Sequence, residues 1–124
     1  MRNIYILSKV TGAPEGYSDK IVRYAEFLKS NGDSVYIPQL DTDQSMSGFM
    51  KCRKNLEAIK DADEIHIFYN DDSPGSKLDI GMALALNKKI VIVENGNINS
   101  PVGKMLEQWL YLQDTKRLER IWIS

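Results

Sequence analysis

The residues best suited to chemistry lie in one segment, residues 70–83, which reads NDDSPGSKLDIGMA. The segment follows an apolar run, turns through Pro74-Gly75 and enters a helical pattern. A glycine turn at a helix N-terminus presents free backbone N–H groups to an anion. The hydroxyls of Ser73 and Ser76 add two further donors. Ser73, Gly75 and Ser76 are therefore predicted to hold a phosphate group or a sugar hydroxyl.

Asp79 is the acidic side chain of this segment whose position allows two interpretations. In the first, Ser76 caps the helix and Asp79, three residues later, reaches back to complete a capping box. In the second, the carboxylate lies at the mouth of a binding crevice, where it acts as a nucleophile or binds a ribose hydroxyl. The spacing alone leaves both interpretations open.

Short apolar runs and helical patterns alternate along the chain. Five runs predict buried strands, at residues 4–7, 35–37, 65–69, 90–93 and 121–123. The helical pattern after residue 76 is apolar nearly all round, which predicts deep burial. Strands that alternate with helices form right-handed crossovers and a parallel sheet. The chain is therefore predicted to be one α/β domain over residues 1–124, a flavodoxin- or Rossmann-like three-layer sandwich with a five-stranded parallel sheet in the order 2-1-3-4-5.

In this strand order the chain reverses direction between strands 1 and 3, and ligands bind in the crevice at that point. The crevice is predicted to be lined by residues 8–17, which include Ser8 and Lys9, and by residues 70–76. The polar segment 39–47 (QLDTDQSMS) is expected to be mobile and able to act as a lid.

The composition of the chain indicates which binding partners and which cellular compartment to expect. The net charge is −1 and the sequence pI is about 5.8, so no basic field is present to bind nucleic acid. Cys52 is the only cysteine, which excludes an internal disulfide and favours a reducing, cytoplasmic compartment. No stretch approaches the length of a membrane span, and the first apolar run is too short for a signal peptide.

Neither a metal nor a cofactor is expected. The only histidine, His66, cannot anchor a multi-histidine metal site and is predicted to be a satisfied residue of the sheet. The acidic residues at 41, 43, 71 and 72 do not have the spacing of a calcium loop.

The segment from Ser73 onward resembles the nucleoside 2-deoxyribosyltransferase family, including its nucleotide N-hydrolase branch. The family pattern is a small or acidic residue, a glycine turn, Glu-x-Gly-x-Ala at the start of a helix, and a lysine-led strand. The matching residues here are Ser73, Gly75, Asp79, Gly81 and Ala83, followed by residues 89–93. Residues 55–69 are similar to the preceding helix and strand. Residues 3–12 are similar to the first strand and its phosphate- or sugar-binding loop, with Gly12 in place.

The resemblance implies cleavage or transfer of the N-glycosidic bond of a nucleoside or nucleotide. A carboxylate, here Asp79, attacks the anomeric carbon, the base leaves, and water or a second base takes the sugar. Asp79 replaces the glutamate of the family, which withdraws the carboxylate by on the order of 1 Å. Asn55 replaces an aspartate that supports sugar binding and proton transfer. An amide cannot act as a general acid or base at neutral pH.

Two other functions use the same site. The residues found at positions 79 and 55 favour a non-catalytic binder or sensor of a nucleotide-like ligand. Thr11-Gly12 suggests a flavin mononucleotide carrier of the flavodoxin type, although Lys9 and Pro14 stand where hydroxyl residues are expected. The resemblance also implies a homodimer or a larger homo-oligomer, because sites of that family are completed by a neighbouring subunit.

Overall fold

The computed structural model describes residues 1–10, 13–96 and 100–114. Four parallel strands form one sheet in the order β2-β1-β3-β4. They are β1 Asn3–Leu7, β2 Ser34–Tyr36, β3 Glu64–Tyr69 and β4 Lys89–Asn95. The predicted α/β class and the order of the first four strands are confirmed. The predicted fifth strand, residues 121–123, lies outside the described residues.

The described helices cover both faces of the sheet. They are α1 Tyr17–Ser30, α2 Pro38–Asp41, α3 Gly48–Asp61, α4 Pro74–Ala85 and α5 Pro101–Asp114. Hydrophobic contacts place α1 against one face and α3, α4 and α5 against the other, as right-handed connections in this strand order require. None of the described helices combines the length and the hydrophobicity that a membrane-spanning segment needs.

Alternating side chains of β1 build both cores. Tyr5 and Leu7 face the layer of α3, α4 and α5, whereas Ile4 and Ile6 face α1, and all four are buried. Because helices cover both faces, the strand is hydrophobic at every position after Asn3 and lacks the polar alternation of a half-exposed strand. The central strand is therefore fixed from both sides, and Tyr5 lies at its middle.

Charged side chains hold the opposite, amino-terminal edge of the sheet. The guanidinium of Arg2 lies 2.8 Å from the carboxylate of Asp33 and 3.0 Å from that of Glu64. Glu64 also lies 3.0 Å from Nε2 of His66, whose Nδ1 lies 2.6 Å from the hydroxyl of Tyr24. His66 is buried among these partners, as predicted for a satisfied residue of the sheet. Ion pairs thus fix one edge, and the other edge remains open for a site.

The predicted deep burial of the helix now labelled α4 is wrong. Leu78 is 56% exposed and Leu86 is 37% exposed, whereas Ile80 and Ala83 are buried against the sheet. A helix on the outside of a three-layer sandwich rests on the sheet with one side only. The apolar side chains on its flanks are partly buried against the core, and the exposed Leu78 lines the cavity described below.

Adjacent residues of α5 provide a matched test of the packing. Leu106 is 1% exposed within the core, whereas Met105 is 63% exposed. Leu106→Ala should lower the free energy of unfolding by about 2–5 kcal/mol, because it removes buried methyl groups and leaves a cavity. Met105→Ala should change it by less than about 0.5 kcal/mol. Urea denaturation followed by circular dichroism measures both values, and equal losses would contradict the placement of α5 on the sheet.

Candidate functional site

A cavity of about 440 Å³ lies at the carboxyl ends of β1 and β3. One wall is formed by the residues after β1 and the start of α4, and the other by α3 and the segment that precedes it. The cavity brings together the predicted site residues Ser8, Lys9, Asn55, Ser73, Gly75, Ser76 and Asp79. Gly12 lies outside the described residues. A larger cavity of about 540 Å³ runs beside β2 and contains none of these residues.

The start of α4 is fixed by Ser73, which caps the helix. Its Oγ accepts a hydrogen bond from the backbone N–H of Ser76 at 3.2 Å and donates to Oγ of Ser76 at 2.8 Å. Pro74 occupies the first helical position, where no N–H donor is needed. The capping box of Ser76 with Asp79 is therefore wrong, because the cap lies three residues earlier and Asp79 falls in the second turn.

The Asp79 carboxylate is directed away from its own helix end and onto the central strand. Its Oδ2 accepts a hydrogen bond from the hydroxyl of Tyr5 at 2.9 Å. Burial raises the pKa of Asp79 from its ordinary 3.8 to about 6, and the hydrogen bond from Tyr5 offsets part of that effect. The carboxyl is therefore mostly ionised at neutral pH, and it is desolvated enough to react as a nucleophile.

Two stacked tyrosines connect the walls of the cavity. Tyr5 and Tyr36 are direct neighbours on β1 and β2, with ring centroids 5.6 Å apart and planes within 9° of parallel. The hydroxyl of Tyr36 is hydrogen-bonded to Thr42, whose Oγ1 donates to Oδ1 of Asn55 at 2.9 Å. Because its carbonyl oxygen is engaged in this way, Asn55 offers its NH₂ group as a donor to a ligand.

The segment 39–47 is bound to its surroundings by hydrogen bonds. The backbone N–H of Ile37 donates to Oδ2 of Asp41 at 2.7 Å. Nε2 of Gln44 donates to the carbonyl oxygens of Pro38 at 3.0 Å and Thr42 at 2.9 Å. The short helix α2, which the sequence did not predict, forms within these contacts. The segment thus supplies Thr42 to the site, and its expected role as a lid stays a prediction.

Sequence reasoning missed the roles of Tyr36 and Thr42. One signal was available, because Tyr5 and Tyr36 occupy matching positions as the second residues of two predicted neighbouring strands. Aromatic side chains with a polar tip at such positions reach the same edge of the sheet. No comparable signal exists for Thr42, whose position depends on the path of an irregular segment.

The end of β1 supplies a polar atom with no protein partner. Ser8 is one of the residues that line the cavity, but its Oγ is inaccessible to solvent and has no hydrogen-bond partner among the described residues. Such an atom costs free energy unless a ligand or water satisfies it. No group of three His, Cys, Asp or Glu side chains within the described part of the chain is placed to hold a metal ion.

Comparisons with known proteins give a family and a shared fold. A family model described as "Domain of unknown function (DUF4406)" matches residues 2–92, a range that includes every predicted site residue. A CMP N-glycosidase from Clostridium botulinum is 26% identical to the chain. That match covers 73% of this chain and 70% of the other, with a TM-score of 0.57. No functionally curated protein matches the sequence.

Two transferases share the fold at lower identity. A 2-desoxiribosyltransferase from Leishmania mexicana is 22% identical, with a TM-score of 0.61 over 77% of this chain and 66% of that chain. A 2-deoxyribosyltransferase from Bacillus psychrosaccharolyticus is 20% identical, with a TM-score of 0.63 over 77% of each chain. The chain therefore has the fold of nucleoside deoxyribosyltransferases and nucleotide N-glycosidases.

The raised pKa of Asp79 predicts a specific dependence of stability on pH. Between about pH 4 and pH 6 the folded state keeps a proton that the unfolded state has lost, so the free energy of unfolding falls as pH rises. Asp79→Asn removes this titration. Its stability relative to the natural protein should increase by on the order of 2 kcal/mol between pH 4 and pH 7. Urea denaturation at both pH values measures the change.

Asp71→Asn is the matched control for that experiment. Hydrogen bonds from Tyr69 and Ser100 lower the pKa of Asp71, so the natural carboxylate stabilises the fold at neutral pH and this contribution is lost as the solution is acidified. As pH rises, the stability relative to the natural protein should therefore increase for Asp79→Asn and decrease for Asp71→Asn. If the free energy of unfolding changes with pH by the same amount in the natural protein and in Asp79→Asn, Asp79 is not desolvated.

Tyr5→Phe tests the hydrogen bond to Asp79. The tyrosine hydroxyl stabilises the charged carboxylate, so its removal should raise the pKa of Asp79 above 6. Carboxyl-carbon NMR titration measures this pKa without any assay of activity. Tyr24→Phe removes a hydroxyl that is bound to His66 instead, and it should leave the Asp79 titration unchanged. An unchanged pKa in Tyr5→Phe would mean that the bond contributes nothing in solution.

Proposed function

The chain belongs to the family described as a domain of unknown function (DUF4406), and we propose that it cleaves or transfers the N-glycosidic bond of a nucleoside or nucleotide. One observation carries the proposal. The Asp79 carboxylate lines a cavity at the strand switch point, with a hydrogen bond from Tyr5 and a pKa of about 6. A small-molecule site with a desolvated carboxylate is suited to nucleophilic attack.

The shared fold supports this class of reaction. The Clostridium botulinum protein is a CMP N-glycosidase, and the other two are 2-deoxyribosyltransferases. All three names describe chemistry at the bond between a sugar and a base. The predicted homo-oligomer and the cytoplasmic location belong to the same proposal. A flavin carrier has less support, because none of these three structures bears a flavoprotein name.

The reaction proceeds in two displacements at the anomeric carbon. A carboxylate oxygen of Asp79 forms a bond to this carbon while the N-glycosidic bond breaks, and the bonding electron pair leaves with the base. The ester between Asp79 and the sugar is then attacked by water or by a second base, which restores the carboxylate. Positive charge builds up on the sugar in both transition states, and the ionised Asp79 stabilises it.

The leaving base needs a proton, and three groups near the cavity are candidates to supply it. Asn55 cannot supply one, but its NH₂ group can bind a sugar hydroxyl or the base. Asp71 is engaged by Oγ of Ser100 at 2.7 Å, and hydrogen bonds from Tyr69 and Ser100 lower its pKa. Asp72 is the other carboxyl that lines the cavity, and it is exposed, so we assign the proton to water at that end of the cavity.

A non-catalytic binder of the same ligand is the second candidate. The observation that favours it is the hydrogen-bonded amide of Asn55 at a position where the resembled family carries an aspartate. Such a protein would hold a nucleotide-like ligand between Asn55 and Asp79 without releasing the base. Binding without turnover distinguishes it from the enzyme.

Base release from a panel of substrates tests the proposed reaction. The panel contains ribonucleosides, deoxyribonucleosides and their 5′-monophosphates, and liquid chromatography detects the free base. At least one member should lose its base, with a rate that rises as pH increases through about 6, because Asp79 must be ionised. Asp79→Ala should lower the rate by on the order of a hundredfold or more, because it removes the nucleophile.

The control variant is Asp71→Ala, which removes a nearby carboxylate that does not line the cavity. It should keep most of the activity. Equal rates for the natural protein and Asp79→Ala would remove Asp79 from the mechanism. Calorimetric binding of a panel member without any base release would support the non-catalytic binder.

A further inference from the structure

We propose that Thr42 is a positioning residue of the cavity, whose hydroxyl holds the amide of Asn55 with its NH₂ group toward the ligand. Both residues line the cavity. The ligand atom that meets Asn55 is then a hydrogen-bond acceptor with no proton of its own, such as a carbonyl oxygen or an unprotonated ring nitrogen of the base. This inference deepens the proposed function and rests on it for a nucleoside or nucleotide as the ligand.

Thr42 is buried at the point where the two cavities approach each other. It is 4% exposed, and it lines both the candidate site and the larger cavity beside β2. Among the described residues, its hydroxyl is hydrogen-bonded to Tyr36 and to Asn55. Because solvent has little access to this hydroxyl, its one proton is committed to one of these two partners.

The proton of Thr42 goes to the carbonyl oxygen of Asn55, at an Oγ1 to Oδ1 distance of 2.9 Å. Oγ1 therefore acts as an acceptor toward Tyr36, and the phenol hydroxyl donates to it. A phenol is a stronger donor and a weaker acceptor than an aliphatic hydroxyl, because the ring withdraws electron density from the oxygen. The direction from Tyr36 through Thr42 to Asn55 is thus the favourable one.

The ring of Tyr36 has a fixed position, so the start of this chain of hydrogen bonds is also fixed. It stacks on Tyr5, with ring centroids 5.6 Å apart and planes within 9° of parallel. The two hydroxyls donate to different groups, that of Tyr5 to Asp79 and that of Tyr36 to Thr42. A flip of the Asn55 amide would place its NH₂ group against the donor proton of Thr42, so the NH₂ group stays toward the ligand.

An NH₂ group that only donates is best matched by an atom that only accepts. A sugar hydroxyl needs a partner for its own proton as well, whereas a carbonyl oxygen or an unprotonated ring nitrogen needs only a donor. The base is attached to the anomeric carbon that Asp79 attacks, so it occupies the same cavity as Asn55. A group that presents only a proton to Asn55 would leave two donors facing each other, which costs binding free energy.

Calorimetric titration with cytidine 5′-monophosphate, adenosine 5′-monophosphate and ribose 5-phosphate tests the inference, because these probes share a sugar phosphate and differ in the base. At least one nucleotide should bind the natural protein about tenfold more tightly than ribose 5-phosphate. Asn55→Asp keeps the side-chain shape and the bond from Thr42, but at about pH 8 it presents an acceptor in place of the NH₂ group. It should weaken that nucleotide by about tenfold more than it weakens ribose 5-phosphate.

Thr42→Val tests the positioning role without a change of charge. It should weaken the nucleotide by about tenfold, and Thr42→Ser should restore the affinity. The matched control is Ser45→Ala, which removes a hydroxyl of the same segment that donates to Asp43 at 2.7 Å and does not line the cavity. The NMR signals of the Asn55 side-chain amide should shift in Thr42→Val and stay in place in Ser45→Ala, with or without a nucleotide.

If the natural protein releases a base, Thr42→Val should raise KM by about tenfold and leave kcat within about threefold, because the contact is made equally before and during bond cleavage. Circular dichroism confirms that each variant is folded, and Asn55→Asp decides alone if Thr42→Val does not fold.

Three results would overturn the inference: nucleotides that bind no more tightly than ribose 5-phosphate, equal or tighter nucleotide binding by Asn55→Asp, or unchanged binding by folded Thr42→Val. Nucleotide binding that depends on Thr42 without base release would refute the proposed reaction and leave the role of Thr42 standing. Base release that neither variant alters would do the reverse.

Discussion

The hydrogen bond between Tyr5 and Asp79 is the interaction on which the site depends. Tyr5 is fully buried in the central strand, between two neighbouring strands and beneath the layer of α3, α4 and α5. Its hydroxyl therefore has a fixed position at the carboxyl edge of the sheet. A half-buried carboxylate one turn inside α4 would otherwise be drawn to solvent or to its own helix end. The rigid core of the protein thus sets where the Asp79 carboxylate lies.

Burial and hydrogen bonding act on this carboxylate in opposite directions, and their balance determines its chemistry. Burial alone favours the protonated form, which cannot attack a carbon atom. The hydrogen bond from Tyr5 restores enough of the charged form to leave the pKa at about 6. The stacked ring of Tyr36 then leads through Thr42 to Asn55, so that one aromatic pair positions a charged group on one wall and a neutral amide on the other.

The sequence predicted the fold better than the site. The fold follows from local sequence patterns, whereas the site depends on contacts between residues that are far apart in the sequence. Buried parallel strands appear as continuous apolar runs, and their alternation with helices restricts the strand order and the position of the crevice. Ser73 and Ser76 are the same residue type, so the sequence cannot tell which of them caps the helix. The choice of Ser73 depends on the local backbone geometry. The contact of Tyr5 with Asp79 joins residues 74 positions apart, and it depends on the register between helix and strand, which no local pattern records.

The two walls of the cavity come from separate stretches of the chain. Tyr5 and Asp79 belong to the central strand and to the helix that follows the next strand, both within the packed core. Thr42 and Asn55 belong to a stretch that begins at a three-residue edge strand and continues through a short helix and a surface helix. Mutations in residues 38–55 can therefore reshape one wall of the cavity, while the Asp79 carboxylate keeps its setting. Such a division allows the lining of the cavity to change on one side without disturbing the desolvated carboxylate on the other.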